Sequence, residues 1–143
     1  MNDQPIVDAA TSQLLEASFE TLGLHDPAFT ERFYANLFAA RPDFKPLFSH
    51  ATPDEQESKL HKALMLAAQN LRKPDMVRKH FQALGLRHSA EYHVNADYYP
   101  TFVATLHQTL GETAGNKWTP ELSAAWKEAL DRLAAIMKSA GGG

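Results

Sequence analysis

Apolar residues recur every three or four positions along almost the whole chain, the spacing that places them on one face of an α-helix. Leu14, Leu15, Phe19 and Leu22 mark a first stripe, and Phe29, Phe33 and Leu37, flanked by Tyr34 and Phe38, mark a second. Leu60, Leu64, Ala67, Ala68 and Leu71 predict a helix from Pro53 to about Leu71. After Pro74 come Met76, Val77, Phe81 and Leu84, and that stripe ends on His88. Phe102, Val103, Leu106 and Leu110 predict a fifth helix from about Ala96 to Thr113; Leu122, Trp126, Leu130, Leu133 and Met137 predict a sixth from Pro120. No run alternates with period two for long enough to form a strand.

The punctuation agrees with the stripes. Asp26-Pro27 supplies an N-cap followed by a proline at the first helical position, where the missing N–H costs nothing. Thr52-Pro53-Asp54-Glu55 does the same and adds a capping box from Thr52 to Glu55, and Thr119-Pro120 is a third such start. Arg41-Pro42-Asp43-Phe44-Lys45-Pro46-Leu47-Phe48 carries two prolines close together and is too broken for a long helix, yet Phe44, Leu47 and Phe48 are apolar. It reads as a tight corner whose apolar residues turn inward. With no repeat and no linker, the expectation is an all-α fold of six main helices in a single domain over 1–143, loose at 1–8 and 139–143.

Composition strengthens the helical reading. In 143 residues Ala occurs 22 times and Leu 17 times, against 6 for Ile and Val together, a bias toward straight-chain helix formers. The 44% hydrophobic share against 22% charged is enough for a real core. A net charge of −3 gives no basic field for nucleic acid or an anionic membrane. Cys is absent, which removes disulfides, thiolate catalysis and zinc-thiolate or iron–sulfur sites. No segment approaches the roughly 20 apolar residues of a membrane span, and residues 1–10 lack a signal-peptide pattern, so a cytoplasmic location is expected.

Candidate chemistry narrows to histidine. The seven His, at 25, 50, 61, 80, 88, 93 and 107, match no zinc spacing. There is no Gly-x-Ser-x-Gly nucleophile elbow, and only four glycines precede the terminal run, too few for a phosphate-cradling loop. His88 stands apart because Phe81-x-x-Leu84-x-x-x-His88 aims its imidazole along the same face as a core leucine. A core histidine satisfied by a carbonyl has this pattern, and so does a single axial ligand to haem iron in a greasy slot.

One ordered set of motifs bears on that choice: Phe33-Tyr34-Ala35-Asn36-Leu37-Phe38, Arg41-Pro42, Pro46-Leu47-Phe48, Lys59-Leu60, Ala67-Ala68-Gln69-Asn70, Leu84-Gly85-x-Arg87-His88, Tyr99-Pro100 and Ala125-Trp126. From about Leu14 to Met137 this set resembles the bacterial haemoglobins, both single-domain members and the haem domain of flavohaemoglobins. The resemblance implies a globin-like fold around haem b (iron protoporphyrin IX). It makes His88 the proximal iron ligand, Phe48 the aromatic on the porphyrin face, Tyr34 and Gln56 the distal polar pair, and Leu60 the distal apolar wall. Leu84, Val94 and Tyr99 complete the pocket lining, and Lys59, Arg87 and His93 meet the propionates. A solvated helix face is the competing reading for Lys59 and Arg87. The chemistry suits the positions: a hydroxyl or amide donor stabilises charge on the outer atom of bound dioxygen by roughly 1.5–3 kcal/mol in a dry pocket, and carbon monoxide gains far less.

The sequence also departs from the family pattern. In flavohaemoglobin-like chains a Tyr ten residues after the proximal His, immediately before Pro, buttresses it. Here the count gives Tyr98 and the Tyr-Pro pair gives Tyr99, and the turn set by Pro100 favours Tyr99. The Glu that buttresses from the last helix would fall near Gly141 and is missing, which weakens the reading of a strongly basic proximal ligand. No flavin or nicotinamide segment follows, so a redox cycle is expected to borrow an external reductase. The implied function is reversible binding of oxygen, and of carbon monoxide and nitric oxide, by a monomer or weak dimer. Nitric oxide dioxygenation with a separate reductase, and gas or redox sensing with a protein partner, are the alternatives.

Overall fold

The computed structural model describes residues 7–23, 26–48, 53–70, 73–90 and 96–140; the side chains at 27, 47, 48, 53–59, 69, 70, 74, 86–90 and 96 lie outside that description. Six α-helices account for most of it: α1 Ala9–Thr21, α2 Pro27–Ala40, α3 Pro53–Asn70, α4 Pro74–Ala90, α5 Tyr99–Ala114 and α6 Pro120–Ala140. Short 3₁₀ turns occupy Pro42–Phe48, Ala96–Tyr98 and Gly115–Lys117, and no strand occurs among the described residues. None of the described helices is long and apolar enough to cross a membrane.

Local chemistry explains where the helices begin and end. The Asp8 carboxylate accepts from the Thr11 N–H at 2.8 Å to start α1, and Asp26 accepts from Ala28 at 2.9 Å to start α2. The Thr119 hydroxyl accepts from the Leu122 N–H at 3.1 Å and caps α6. The Thr52–Glu55 capping box lies outside the described residues. Glycine closes two helices in the left-handed region, Gly23 at φ +66° after α1 and Gly115 at φ +56° after α5. The fifth helix begins at Tyr99 rather than Ala96. Pro100 in its first turn needs no N–H partner, and the residues before it form a tighter 3₁₀ turn.

Two stripe positions fail to reach the core. Leu14 and Met76 are each 40% exposed, whereas their neighbours Leu15 and Val77 are buried. Adjacent residues on a helix point about 100° apart, and in both pairs the helix turns the second one inward.

α6 packs against α1, α4 and α5; α2 packs against α5 and α3; and α3 also touches α1 and α4. Two apolar clusters fill the space between them. The larger draws Leu15 and Phe19 of α1, Leu64 of α3, Val77 and Phe81 of α4, Leu110 of α5 and Trp126 and Leu130 of α6. The smaller is built on Phe33 and Leu37 of α2 and Phe44 of the Pro42–Phe48 turn. Polar ties lock the same interfaces. The Trp126 indole donates to Ser18 Oγ at 3.0 Å, and that hydroxyl donates onward to the Leu15 carbonyl at 3.1 Å. The Asn36 amide donates to Thr109 Oγ1 at 3.1 Å and to Glu112 at 2.9 Å, joining α2 to α5.

α4 and α6 meet backbone to backbone. A Cβ placed on Gly85 would overlap the Met137 carbonyl and lie 2.7 Å from Met137 Cα. Only glycine allows that approach, and it occurs three residues before His88 on the same helix.

Candidate functional site

The smaller cluster is where the chemistry-bearing residues gather. Phe33, Leu37 and Phe44 are buried, and Tyr34, Phe38, Leu60, Tyr98, Phe102 and Leu106 pack around them while only half-buried themselves. Tyr34 follows Phe33 on α2, meets its ring edge-on at 5.0 Å between centroids and stacks on Phe38 at 6.0 Å. A phenol is protonated at neutral pH and keeps its O–H as a donor, and burial pushes the Tyr34 phenol above its ordinary range, extending that state to higher pH. Leu60 brings α3 to the same cluster and also touches the larger one, as Leu106 does.

The corner reading is right for Phe44, which is fully buried between the rings of Tyr98 at 4.7 Å and Phe102 at 5.6 Å. Sequence reasoning gave no role to Arg41, which the structure places over this aromatic wall. Its guanidinium sits 4.5 Å from the Phe44 ring centre and 5.8 Å from that of Tyr98. Asp43 holds it in a two-pronged ion pair at 2.9 and 2.7 Å. The Arg41-Pro42-Asp43 spacing was the available signal. Phe102 and Leu106 were read only as core stripe, and they line the same cluster as Tyr34.

The remaining candidates divide. Leu84 of α4 packs, half-buried, on the larger cluster, and His88 lies four residues further along α4. Gln56 and Lys59 belong to α3, Phe48 to the corner turn, and Arg87 and His88 to α4, but their side chains lie outside the description. His93 and Val94 lie outside the described residues altogether. Tyr98 joins the aromatic cluster, whereas Tyr99 is buried between α5 and α6 and lines a separate groove there.

Two other histidines have structural surroundings. His61 turns toward α1, its ring 6.0 Å from Phe19, with a buried Nδ1 that has no hydrogen-bond partner among the described residues. His107 Nε2 lies 2.9 Å from the Ser123 carbonyl and its ring meets Trp118 edge-on at 5.5 Å, tying α5 to α6. Among the described residues no three His, Asp or Glu converge as a metal site.

Comparison with known proteins gives the family. The globin family profile matches residues 31–137. The flavohemoprotein of Rhizobium meliloti is 28% identical over 129 residues, which is 89% of this chain but 32% of that protein. The chain therefore spans about a third of the flavohemoproteins it matches. Leghemoglobin-1 of Lupinus luteus is 31% identical, covering 87% of this chain and 89% of its own length. Among solved structures, an engineered carbene transferase described as a putative nitric oxide dioxygenase from Rhodothermus marinus superposes with a TM-score of 0.83 at 29% identity, over 95% of this chain and 94% of that one. The all-α architecture, the corner with its buried phenylalanine and the profile over residues 31–137 together lead to one conclusion: the chain belongs to the globin family.

Proposed function

We propose that this chain binds a diatomic gas reversibly, oxygen foremost and carbon monoxide and nitric oxide as well, at a haem b held by His88. The observation that carries the reading is the Tyr34 phenol set among half-buried aromatic and apolar side chains of α2, α3 and α5 around the buried Phe33, Leu37 and Phe44. The residue types fit the group: haem asks for one axial nitrogen, an apolar slot and a polar donor on the far side. When bound, haem supplies an iron with one coordination position for the gas.

The chain's own residues do the rest. His88 on α4 gives the axial nitrogen, and the close α4–α6 approach at Gly85 fixes the helix that carries it. Tyr34 donates its O–H toward the gas, with Gln56 as second donor. Leu60 and Leu84, with Phe102 and Leu106, keep the slot apolar and exclude water, and Phe48 stacks on the porphyrin. Lys59, Arg87 and His93 would pair with the propionates, and Val94 would line the pocket. Arg41 caps the aromatic wall from outside. Tyr99 lines the α5–α6 groove.

The likeness to flavohemoproteins and to a putative nitric oxide dioxygenase favours a second reading, oxidation of nitric oxide to nitrate with electrons from a separate reductase. It is distinguished by sustained nitrate formation over many cycles, since a single turnover is common to oxygen-carrying globins.

The test is spectroscopic. Haem-loaded protein is expected to show a Soret band that shifts on reduction and on adding carbon monoxide. His88→Ala is expected to lose stable haem retention, while His61→Ala and His107→Ala keep a normal band. A wild-type spectrum and haem affinity in His88→Ala would falsify the assignment.

A further inference from the structure

A concavity of about 260 Å³ lies between α5 and α6. Small residues create it: Val103 and Ala104 on one helix face Ala134 and Ala135 on the other, leaving room that larger side chains would fill. Of the residues that the resemblance assigns to the gas pocket, only Tyr99 lines it.

Two polar groups in this groove lack partners. Tyr99 is only 8% exposed, yet its hydroxyl makes no hydrogen bond among the described residues. The ring is covered while the hydroxyl stays accessible at the groove, free to pair with whatever occupies it. Lys138, half-buried at the same site, makes no ion pair among the described residues. The groove's other lysine, Lys127, is already held by Asp131 at 2.6 Å, which neutralises the one carboxylate in the lining.

An apolar floor with one uncommitted cation and one uncommitted hydroxyl donor is complementary to a singly charged anion with a hydrocarbon body. A cationic ligand would meet Lys138 and Lys127 with only a committed Asp131 to offset them. A doubly charged phosphate would be matched by one free cation alone. We propose that the α5–α6 groove binds a small amphiphilic carboxylate, its head group taken by Lys138 and the Tyr99 hydroxyl and its apolar body lying along Val103, Ala104, Ala134 and Ala135. The Lys138 stem itself extends the apolar floor.

The experiment is titration of haem-loaded protein, saturated with carbon monoxide so that the iron is closed to carboxylates, with octanoate and with 1-octanol, followed by calorimetry and amide NMR shifts. Octanoate is expected to bind saturably and at least about tenfold more tightly than octanol, with shifts centred on α5 and α6. Lys138→Met should weaken octanoate about tenfold and leave octanol unchanged, and Tyr99→Phe should weaken octanoate several-fold. Ala135→Phe, at an exposed position where the fold tolerates substitution, should fill the groove and block both ligands. Equal affinity for octanoate and octanol, no saturable binding, or octanoate binding indifferent to Lys138→Met and Ala135→Phe would overturn the proposal. So would a concentration-dependent dimer dissolved by Ala135→Phe, which would assign the groove to a second copy of the chain.

Discussion

The two apolar clusters are closed in different ways. In the larger, Leu15, Val77 and Leu110 are at most 1% exposed, and the surrounding helices cover them from every side. In the smaller, Phe33, Leu37 and Phe44 are as deeply buried, but the six residues packed around them keep part of their surface exposed. The first cluster also has half-buried residues packed against it, but among the described residues its fully buried members outnumber them, eighteen to ten, whereas in the second the half-buried ones are the majority, six to three. The second presents apolar surface that the chain does not cover, and it sits beside a phenol held in its neutral form. Protein interiors rarely leave so much adjoining apolar surface open without something to occupy it.

This difference has a direct consequence for paired substitutions. Leu110→Ala, at 0% exposure, should cost roughly 2–5 kcal/mol of stability, because it opens a cavity that the neighbours fill only partly. Phe102→Ala removes a larger side chain from a half-finished site and should cost the apoprotein less, roughly 1–2 kcal/mol. Its larger effect should fall on haem retention, measured as the rate of haem loss to an acceptor globin. Equal loss of apoprotein stability in the two variants would mean that the clusters do not differ as described.

Gly85 sharpens the comparison from the α4 side. Gly85→Ala forces a Cβ into the Met137 backbone, where no flexible side chain stands to yield. The helices must separate, at a cost of roughly 1–3 kcal/mol in melting experiments. Because His88 follows within one helical turn, the separation should also broaden or shift the iron–histidine stretching band in resonance Raman spectra. A variant with unchanged Tm and an unchanged band would remove the tight α4–α6 approach as a positioning device.

Tyr34 carries the next effect. Tyr34→Phe keeps the ring contacts with Phe33 and Phe38 and removes only the O–H. Losing one charge-assisted hydrogen bond worth roughly 1.5–3 kcal/mol should raise the oxygen off-rate about 10- to 100-fold and change carbon monoxide release much less. An unchanged off-rate would take Tyr34 out of the site.

Much of this division was legible in the sequence. The three-and-four spacing located all six helices, because a helix buries its apolar face whatever it packs against. Asp26-Pro27 and Thr119-Pro120 marked true starts because capping is a local interaction. The errors fell where one residue of rotation decides burial, at Leu14 and Met76, and where a 3₁₀ turn replaced the first turn of α5. The site was legible in its residue types and much less so in its assembly. Tyr34 and Leu60 were singled out by their motifs, but their meeting with Phe102, Leu106 and Arg41 depends on how α2, α3 and α5 pack, which no local spacing encodes. The Tyr98–Tyr99 choice shows the same limit. The Pro100 turn fixes the register of α5, yet only the packing shows that Tyr98 joins the aromatic cluster while Tyr99 turns to α6.

The smallest effect is on the alkaline limb of stability, and it tests the buried phenol without any ligand. Burial raises the Tyr34 pKa, and to a lesser degree that of Tyr99, above the ordinary value of 10.0. In the unfolded chain both phenols release their protons near that value, whereas in the folded chain they hold them. The unfolded state therefore binds fewer protons above pH 10 and gains free energy relative to the folded state, so stability is intact below pH 10 and declines as pH rises past it. Thermal melts at pH 9 and at pH 11 should differ accordingly. Tyr34→Phe should flatten most of that decline and Tyr99→Phe a smaller part, while at pH 7 neither phenol titrates and the slope is unaffected. A Tyr34→Phe variant that loses stability above pH 10 as steeply as the parent would show that the phenol ionises freely in the folded state, and the smaller cluster would then be wet where the structure makes it dry.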